Sequence, residues 1–391
     1  MLVVNHLQYK GLLNKSIPLQ LFIIAGVTRY KEGITLKNKK LVTVLVLLLV
    51  FALIMGGCST QEASTPSPEP STGEVDYSSF DTYKWDFFVC VPANHPRNVG
   101  LFEMTDNLRE ITGGKLDITI RPSGEVPYKG PEGIAIAASG AVQMSDANPA
   151  LISGDSQVGA IPAYPFLVSD WSKFREIMDA LTPVFTKEMN GRGVKTLFFF
   201  PDPEQYLFGQ GDVIKSLADF KGRKMRAQNA YMQEFATKVG ASSITITSNE
   251  IPDAISRSLI NTFVTSATST QSGKFYEFID WALKMPYSAA GSWIIVNQEA
   301  WDSLPPEFQA LIEEECAAME EEYWSGLVPA QNEAALKEIG EYKDGAVKIY
   351  ENDPILHEEG YVMMKDSWAK WAKDSGPYAE EALADVLKVL E

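Results

Sequence analysis

From Tyr83 onward the chain alternates short strand patterns with helix patterns, and this alternation constrains the fold more than any other feature of the sequence. The run "KWDFFVCV" is typical of a buried strand, and "KLDITIR" alternates apolar and polar residues as a half-buried strand does. Between them, apolar residues recur at the spacing of one helix face, namely Leu101, Met104, Leu108 and Ile111. Strand, helix and strand with short connections predict parallel pairing and an α/β fold.

The same alternation returns in the middle of the chain. "VKTLFFF", "RKMRAQ" and "SSITIT" have strand patterns, and residues 230–239 have a helix pattern. After Trp301 the pattern changes to one long helix, which Pro329 is predicted to end or kink. A length of 391 residues predicts two domains at about 150 residues each.

Composition and motifs exclude several function classes. A net charge of −17 argues against nucleic acid as a partner, because phosphate binding needs concentrated Lys and Arg. The sequence contains no HExxH, CxxC, GxxxxGK[ST] or GxSxG motif, so common zinc, nucleotide and hydrolase sites are missing. The acidic clusters "IEEEC" and "MEEEYW" indicate a solvated helix face rather than a metal site. We predict no cofactor and no metal, although a carboxylate-pair enzyme stays open.

A hydrophobic run precedes the folded part. Lys37, Lys39 and Lys40 are followed by about 15 apolar residues, which is short for a membrane span of roughly 20. Gly56 and Gly57 then precede Cys58, as in a bacterial lipobox, although Met55 departs from the usual Leu. We therefore predict a lipoprotein signal peptide over 37–57 that is cleaved, with Cys58 lipidated. The alternative is an uncleaved signal anchor.

The segments on either side of the signal peptide complete the leader and the tether. Residues 1–36 fit neither a signal peptide nor a domain, and we interpret them as untranslated, with Leu36 as the start codon. Residues 58–82 are rich in Ser, Thr, Pro and Glu and are predicted to be a disordered tether. The predicted location is extracytoplasmic, at the membrane surface.

Arg226 is the residue that most suggests a binding site. It lies in the strand pattern "RKMRAQ", just before a helix that starts near Asn229. Ligand sites in α/β proteins lie where a strand ends and a helix begins, and a fixed guanidinium binds a carboxylate with two parallel hydrogen bonds. The alternative is a surface arginine on an edge strand.

The motifs around Arg226 resemble a known family. "LADFKGRKMRAQ", a helix ending in "VGA", and "EIPDAISRSLIN" are similar to the DctP-like solute-binding proteins of tripartite ATP-independent periplasmic (TRAP) transporters. The family pattern is D-x-K-G-x-K-x-R followed by E-V-x-x-A-L-x-x-G-x-x-D-G. "IPAYPFLVSD" and "VNQEAWDSLPPEFQALI" resemble further family segments in the same order.

The resemblance implies a two-lobed α/β protein with a mixed sheet in each lobe, hinge strands and a long helix spanning both. Lobe I would comprise 83–204 and about 292–330, and lobe II would comprise 205–291 and about 331–391. The cleft would close on a small organic acid and deliver it to small and large integral membrane subunits. The competing hypothesis is a lipid-anchored cleft enzyme, a carboxylate-based hydrolase or isomerase acting on a small acid.

Carried over by position, Arg226 falls on the family's carboxylate-binding arginine. Asn148 and Thr265 fall where the family places polar ligand contacts, and Ser248 and Asn249 line the loop that precedes Glu250.

The chain also departs from the family pattern. Ser258 and Asn261-Thr262 replace a glycine and an Asp-Gly pair, so that turn is expected to differ. Tyr206 occupies a position where some members carry a second arginine. With that charge absent, we expect a monocarboxylate or a less anionic ligand, with the Tyr206 hydroxyl and ring facing it.

Overall fold

A computed structural model describes residues 75–391. The predicted signal peptide, Cys58 and most of the predicted tether lie outside the described residues. The last tether residues form a 3-10 turn at Tyr77–Ser79. The rings of Tyr77 and Phe80 both lie 5.2 Å from the ring of Phe308. The folded part therefore begins before Tyr83.

The strands are β1 (Tyr83–Val89), β2 (Leu116–Pro122), β3 (Met144–Ala147), β4 (Val194–Gly209), β5 (Lys224–Ala227), β6 (Ser242–Thr245), β7 (Thr262–Thr265), β8 (Trp281–Asn297) and β9 (Lys348–Glu351). The helices are α1 (Asn98–Ile111), α2 (Gly133–Ala138), α3 (Gln157–Ala160), α4 (Trp171–Asn190), α5 (Ala230–Lys238), α6 (Ile251–Ser256), α7 (Ala267–Ser272), α8 (Gln298–Asp302), α9 (Pro306–Glu322), α10 (Val328–Glu341), α11 (Pro354–Ser375) and α12 (Pro377–Leu390).

Within residues 75–391 the strands form one mixed sheet in the order β2-β1-β3-β8-β4-β7-β5-β6, with β9 paired to β8. β1 runs parallel to β2 and β3, and β5 runs parallel to β6 and β7, as the strand-helix-strand pattern predicts. β3 is antiparallel to β8, and β7 is antiparallel to β4. We call β1–β3 the first half of the sheet and β5–β7 the second half.

The two halves are joined by β4 and β8, which are antiparallel and pair from Val194 opposite Asn297 to Gly209 opposite Trp281. The strand pattern "VKTLFFF" stops at Phe200, yet β4 continues through Pro201 and Pro203. The pairing register shifts between Asp202 and Gln205. Proline lacks an N–H, but a bulge does not need that donor, so the strand can pass through this segment.

The predicted long helix consists of α9 and α10, joined by a π-helical turn at Tyr323–Leu327. The kink lies at Gly326, whose φ is 113°, rather than at Pro329. Glycine tolerates this backbone conformation because it has no Cβ. Pro329 instead lies in the first turn of α10, where its missing N–H costs no helical hydrogen bond.

The core has several parts. One cluster contains residues of α4, α5, α11 and α12, and α12 packs against α4. Another packs α1 and α9 on the first half of the sheet, and it includes Leu101, Met104 and Leu108. Ile111, the last residue of α1, lies at the predicted helical spacing but is 47% exposed and is not among the buried residues of this cluster. No helix among residues 75–391 has the length and apolarity needed to cross a membrane.

We predict that Gly291→Ala lowers the stability of the protein. A Cβ at position 291 would lie 2.5 Å from the Phe200 carbonyl oxygen and 2.4 Å from Phe199 Cζ. The backbone of β4 would have to move, at a cost of about 1–3 kcal/mol in the free energy of unfolding. Denaturant unfolding measures this change.

Gly154→Ala is the control for this substitution, because a Cβ at position 154 would meet nothing within 4 Å. Equal stability of the two variants would contradict the close approach of β4 and β8 at Gly291.

Candidate functional site

A cavity of about 100 Å³ lies between the two halves of the sheet. From the side of the first half it is lined by Cys90, Val91, His95 and residues 148–151. From the joining strands it is lined by Asp202, Gln205, Ser288, Ala289 and Ala290. From the side of the second half it is lined by Arg226, Gln228, Ser248, Thr265, Ser266 and Ser269.

Arg226 is the central cation of this cavity and is only 2% exposed. It lies on β5, next to the end of the strand, and α5 begins three residues later at its cap Asn229. Its Nε donates to the Ile246 carbonyl at 3.0 Å and its Nη1 donates to the Val264 carbonyl at 3.2 Å. Its Nη2 donates to Ser248 Oγ at 3.3 Å. The guanidinium is therefore held in one orientation.

The charge of Arg226 is not neutralised within the described part of the chain. None of the salt bridges found there includes it. The carboxylate of Glu250 favours the charge from a distance, but it accepts hydrogen bonds from Thr247. Burial lowers the pKa of Arg226 to about 10, so the side chain is still protonated at neutral pH. A buried cation of this kind is costly unless an anion joins it.

Arg226 also has unused donors. A guanidinium carries five N–H groups, and the three hydrogen bonds to the protein leave one on each terminal nitrogen. This pair of N–H groups matches the two oxygens of a carboxylate. The arrangement can hold an anion in the cavity.

The structure brings three other predicted site residues to the same cavity: Asn148, Ser248 and Thr265. Asn148 follows β3, donates from Nδ2 to the Gly291 carbonyl at 2.9 Å, and accepts from the Ala150 N–H. Ser248 opens a 3-10 turn at Ser248–Glu250 and contacts Arg226. Thr265 ends β7 opposite Tyr206 on β4. Their contacts with a ligand stay a prediction.

The other two predicted site residues do not line the cavity. Asn249 is exposed on the 3-10 turn. The Tyr206 hydroxyl donates to Glu204 Oε2 at 2.8 Å, and its ring packs in a core cluster with Ile251 and Phe263. In this arrangement Tyr206 presents neither hydroxyl nor ring to the cavity.

The structure also adds residues that the sequence analysis missed, among them Asp202, His95 and Gln228. Gln228 lies two residues after Arg226, and strand periodicity could have assigned it to the same face. Asp202 is a charged residue between two prolines, directly after an apolar strand pattern, and this position could also have indicated a site residue. His95 lies in a loop and had no comparable pattern.

A buried ion network lies beside the cavity. Arg97 Nη1 donates to Asp202 Oδ2 at 3.0 Å and to Ser292 Oγ at 2.8 Å, and Nη2 donates to Asp146 Oδ2. Burial disfavours the charged form of Arg97. The nearby carboxylates of Asp202 and Asp146 favour that form more strongly, so the pKa of Arg97 is raised. Burial raises the pKa of Asp202, with Arg97 opposing that shift. This arginine, unlike Arg226, has its counter-ions within the protein.

The remaining chemistry of the cavity is that of a polar binding site. Burial, helped by the nearby Arg97 charge, lowers the pKa of His95 to about 3, so this imidazole is neutral at physiological pH. Its Nε2 is hydrogen-bonded to Ser269 Oγ at 3.1 Å. No group of three or more His, Cys, Asp or Glu side chains within residues 75–391 could hold a metal ion.

Comparison with known proteins shows what the chain is similar to. Residues 88–374 match the DctP family model, described as "Bacterial extracellular solute-binding protein, family 7". The chain is 24% identical over 215 residues to the 2,3-diketo-L-gulonate-binding periplasmic protein YiaO of Escherichia coli, covering 54% of this chain and 65% of YiaO. It is 23% identical over 260 residues to the C4-dicarboxylate-binding periplasmic protein DctP of Rhodobacter capsulatus, covering 64% and 75%.

The fold is similar to that of solved structures as well. A Bordetella pertussis extracytoplasmic solute receptor binding pyroglutamic acid superimposes with a TM-score of 0.72 at 20% identity, covering 78% of this chain and 100% of the receptor. The predicted two-lobed α/β fold with mixed strand pairing is confirmed, with the two halves of the single sheet joined through β4 and β8. The chain belongs to the DctP family of bacterial extracellular solute-binding proteins, and its function is to bind a solute for transport rather than to catalyse a reaction.

Proposed function

We propose that this protein captures a small organic acid and delivers it to the small and large integral membrane subunits of a TRAP-type transporter. The observation that carries this proposal is the buried, protonated Arg226, which has no carboxylate partner in the described part of the chain and faces the cavity. A ligand carboxylate would supply the missing anion and accept the two free N–H groups.

The relatives support a carboxylate ligand. The Rhodobacter capsulatus relative is a C4-dicarboxylate-binding protein and the similar Bordetella pertussis structure binds pyroglutamic acid. Both molecules carry at least one carboxylate. The hydroxyls of Ser248, Thr265 and Ser288 line the cavity and are suited to hydrogen-bond a polar ligand.

Closure of the two lobes around the ligand is the second part of the proposal. His95 Nε2 contacts Ser269 Oγ at 3.1 Å, and Asn229 Nδ2 donates to the Ala150 carbonyl at 3.3 Å. Both bonds join the two sides of the cavity. A ligand that touches both sides would stabilise the closed form, which a membrane partner could recognise.

We keep the predicted lobes, 83–204 with about 292–330 and 205–291 with about 331–391, as the bodies that move. The crossings between them near Pro201 and Gly291 lie within β4 and β8, where paired strands can act as hinges. α12 belongs to the second of these bodies but packs against α4 of the first, so this contact joins the two bodies.

Lipid attachment is the third part of the proposal. The lipobox-like segment that ends at Cys58 would leave an acylated cysteine at the new N-terminus, outside the cytoplasm. Two or three acyl chains would hold the protein at the membrane, since one chain alone binds weakly.

We predict that Arg226→Ala abolishes tight binding of carboxylates. Removing one partner of a buried charge pair costs about 2–5 kcal/mol, or about 30-fold to several thousand-fold in affinity. Isothermal titration calorimetry of the protein beginning after Cys58 with a panel of organic acids, pyroglutamate and succinate included, measures the change.

Arg257→Ala is the matched control, because Arg257 is an exposed arginine on the same half of the chain and does not line the cavity. Unchanged affinity in Arg226→Ala, with the wild-type protein binding an acid, would show that the site is elsewhere.

We expect a bound acid to make the protein more compact, because a ligand held from both sides favours closure. Small-angle X-ray scattering should give a smaller radius of gyration with saturating ligand than without it. Arg226→Ala at the same ligand concentration should show no change, and a ligand-independent radius in the wild type would contradict closure.

We predict that the protein produced with its full leader in a bacterial host carries lipid on Cys58. Mass spectrometry of the purified protein should find an N-terminal acylated cysteine and no residues from the apolar run, and Cys58→Ser should lack the modification. A mature protein that retains residues 44–57 would indicate a signal anchor instead.

A further inference from the structure

The carboxylate of Asp202 has one oxygen without a partner. Asp202 lies on β4 where this strand crosses between the halves of the sheet, and its side chain is 12% exposed. Oδ2 accepts from Arg97 Nη1, whereas Oδ1 is buried and makes no hydrogen bond within the described residues. Buried polar atoms are nearly always satisfied, so an orphaned carboxylate oxygen beside a ligand cavity calls for a donor.

The neighbouring backbone does not supply that donor. The residues on both sides of Asp202 are prolines, which have no N–H, and no other N–H within the described residues is hydrogen-bonded to Oδ1. Arg97 in turn holds Oδ2 in place through its own bonds to Ser292 and Asp146. The oxygen left for a ligand is therefore Oδ1.

The cavity lining carries one positively charged side chain and one negatively charged side chain. Arg226 is the only lysine or arginine among the lining residues, and His95 is neutral. Asp202 is the only aspartate or glutamate among them. The cavity thus offers one cation to a carboxylate and one carboxylate oxygen to a donor.

We propose that the ligand is a monocarboxylic acid that also carries an N–H or O–H donor, with its carboxylate on Arg226 and its donor on Asp202 Oδ1. This inference rests on the proposed function and narrows its substrate class. It makes Asp202 a specificity-determining residue that disfavours plain dicarboxylates.

The selectivity follows from what each ligand does to Oδ1. A donor satisfies it, whereas the second carboxylate of a dicarboxylate would bring a like charge to it with no cation between them. A site built around a buried acceptor rejects a ligand that lacks the matching donor, because the acceptor is then left unpaired.

A purely structural role would leave Oδ1 unexplained. Asp146 also neutralises Arg97, and both of its oxygens are used, Oδ1 by the Cys90 N–H at 3.0 Å and Oδ2 by Arg97. Asp202 contacts the same arginine with Oδ2 alone. The second oxygen of Asp202 has no task in that network.

The test compares ligands that differ in one group. L-pyroglutamate has a lactam N–H, and its lactone counterpart, 5-oxotetrahydrofuran-2-carboxylate, has an oxygen there with the same shape. Calorimetry with the wild-type protein would include both, together with 4-hydroxybutyrate for an O–H donor, 4-aminobutyrate for an ammonium donor, and succinate. We expect at least one donor-bearing acid to bind about 10-fold or more tightly than both the lactone and succinate. Succinate or the lactone binding as tightly as every donor-bearing acid would overturn the proposal and leave the proposed function intact.

If none of these acids binds, the molecule released from the purified protein is identified by mass spectrometry. A monocarboxylate with an N–H or O–H group supports the proposal, and any other molecule overturns it. A molecule without a carboxylate would overturn the proposed function as well.

Asp202→Asn tests the residue directly. The amide keeps an oxygen for Arg97 and turns an N–H₂ group toward the position of Oδ1. We expect the ratio of affinities for the best donor-bearing acid and succinate to fall about 10-fold or more. Ser292→Ala is the control, since it weakens the hold on Arg97 without touching the cavity, and it should leave the ratio unchanged. An unchanged ratio in Asp202→Asn, or an equal fall in Ser292→Ala, would overturn the role of Asp202.

Discussion

The pairing of β4 with β8 is the constraint on which the rest of the structure depends. The two strands stay paired along almost their whole length, and each carries one half of the sheet at one of its edges: β3 on β8 and β7 on β4. The cavity lies where these two strands cross between the halves, and Asp202 and Ser288 line it from them. The fold and the cavity therefore share the same residues, so a change in the crossing segment affects the stability of the fold and the shape of the cavity together.

The two buried arginines, Arg97 and Arg226, differ in whether their charge is neutralised within the described part of the chain. Arg97 forms salt bridges with Asp146 and Asp202, so its charge is neutralised within the protein. These salt bridges also fix the loop before α1 to β3 and β4. Arg226 is held by two carbonyls and a hydroxyl, which orient the guanidinium but do not neutralise it. A buried cation without a counter-ion lowers the stability of the ligand-free protein. Binding of an anion restores that stability. That difference is the basis for proposing Arg226, rather than Arg97, as the ligand-binding arginine.

Much of the fold could be predicted from periodicity. The patterns for β1, β2, β5 and β6 and the strand-helix-strand order gave the parallel pairing in each half. The length of β4 could not be predicted, because Pro201 and Pro203 normally end a strand, and only the bulged register opposite β8 lets them remain. The kink at Gly326 was also missed, since a single glycine in a helix pattern has no fixed outcome until its neighbours set its φ.

The site was predictable in part. A strand that ends in Arg226 before a helix cap indicates an anion site on local grounds, and the cavity indeed lies there. Tyr206 was expected to face the ligand, but its hydroxyl donates to Glu204 and its ring packs among core residues away from the cavity. Residue propensities do not reveal a side-chain contact between two residues that lie only two positions apart. The sequence by itself determined the α/β class, the family and the arginine proposed to bind an anion, because these depend on local periodicity and short motifs. Only the tertiary structure decided that, within residues 75–391, Arg226 lacks a counter-ion, Arg97 has two, and one buried oxygen of Asp202 has no hydrogen-bond partner. Charge pairing of this kind depends on residues brought together from distant parts of the chain.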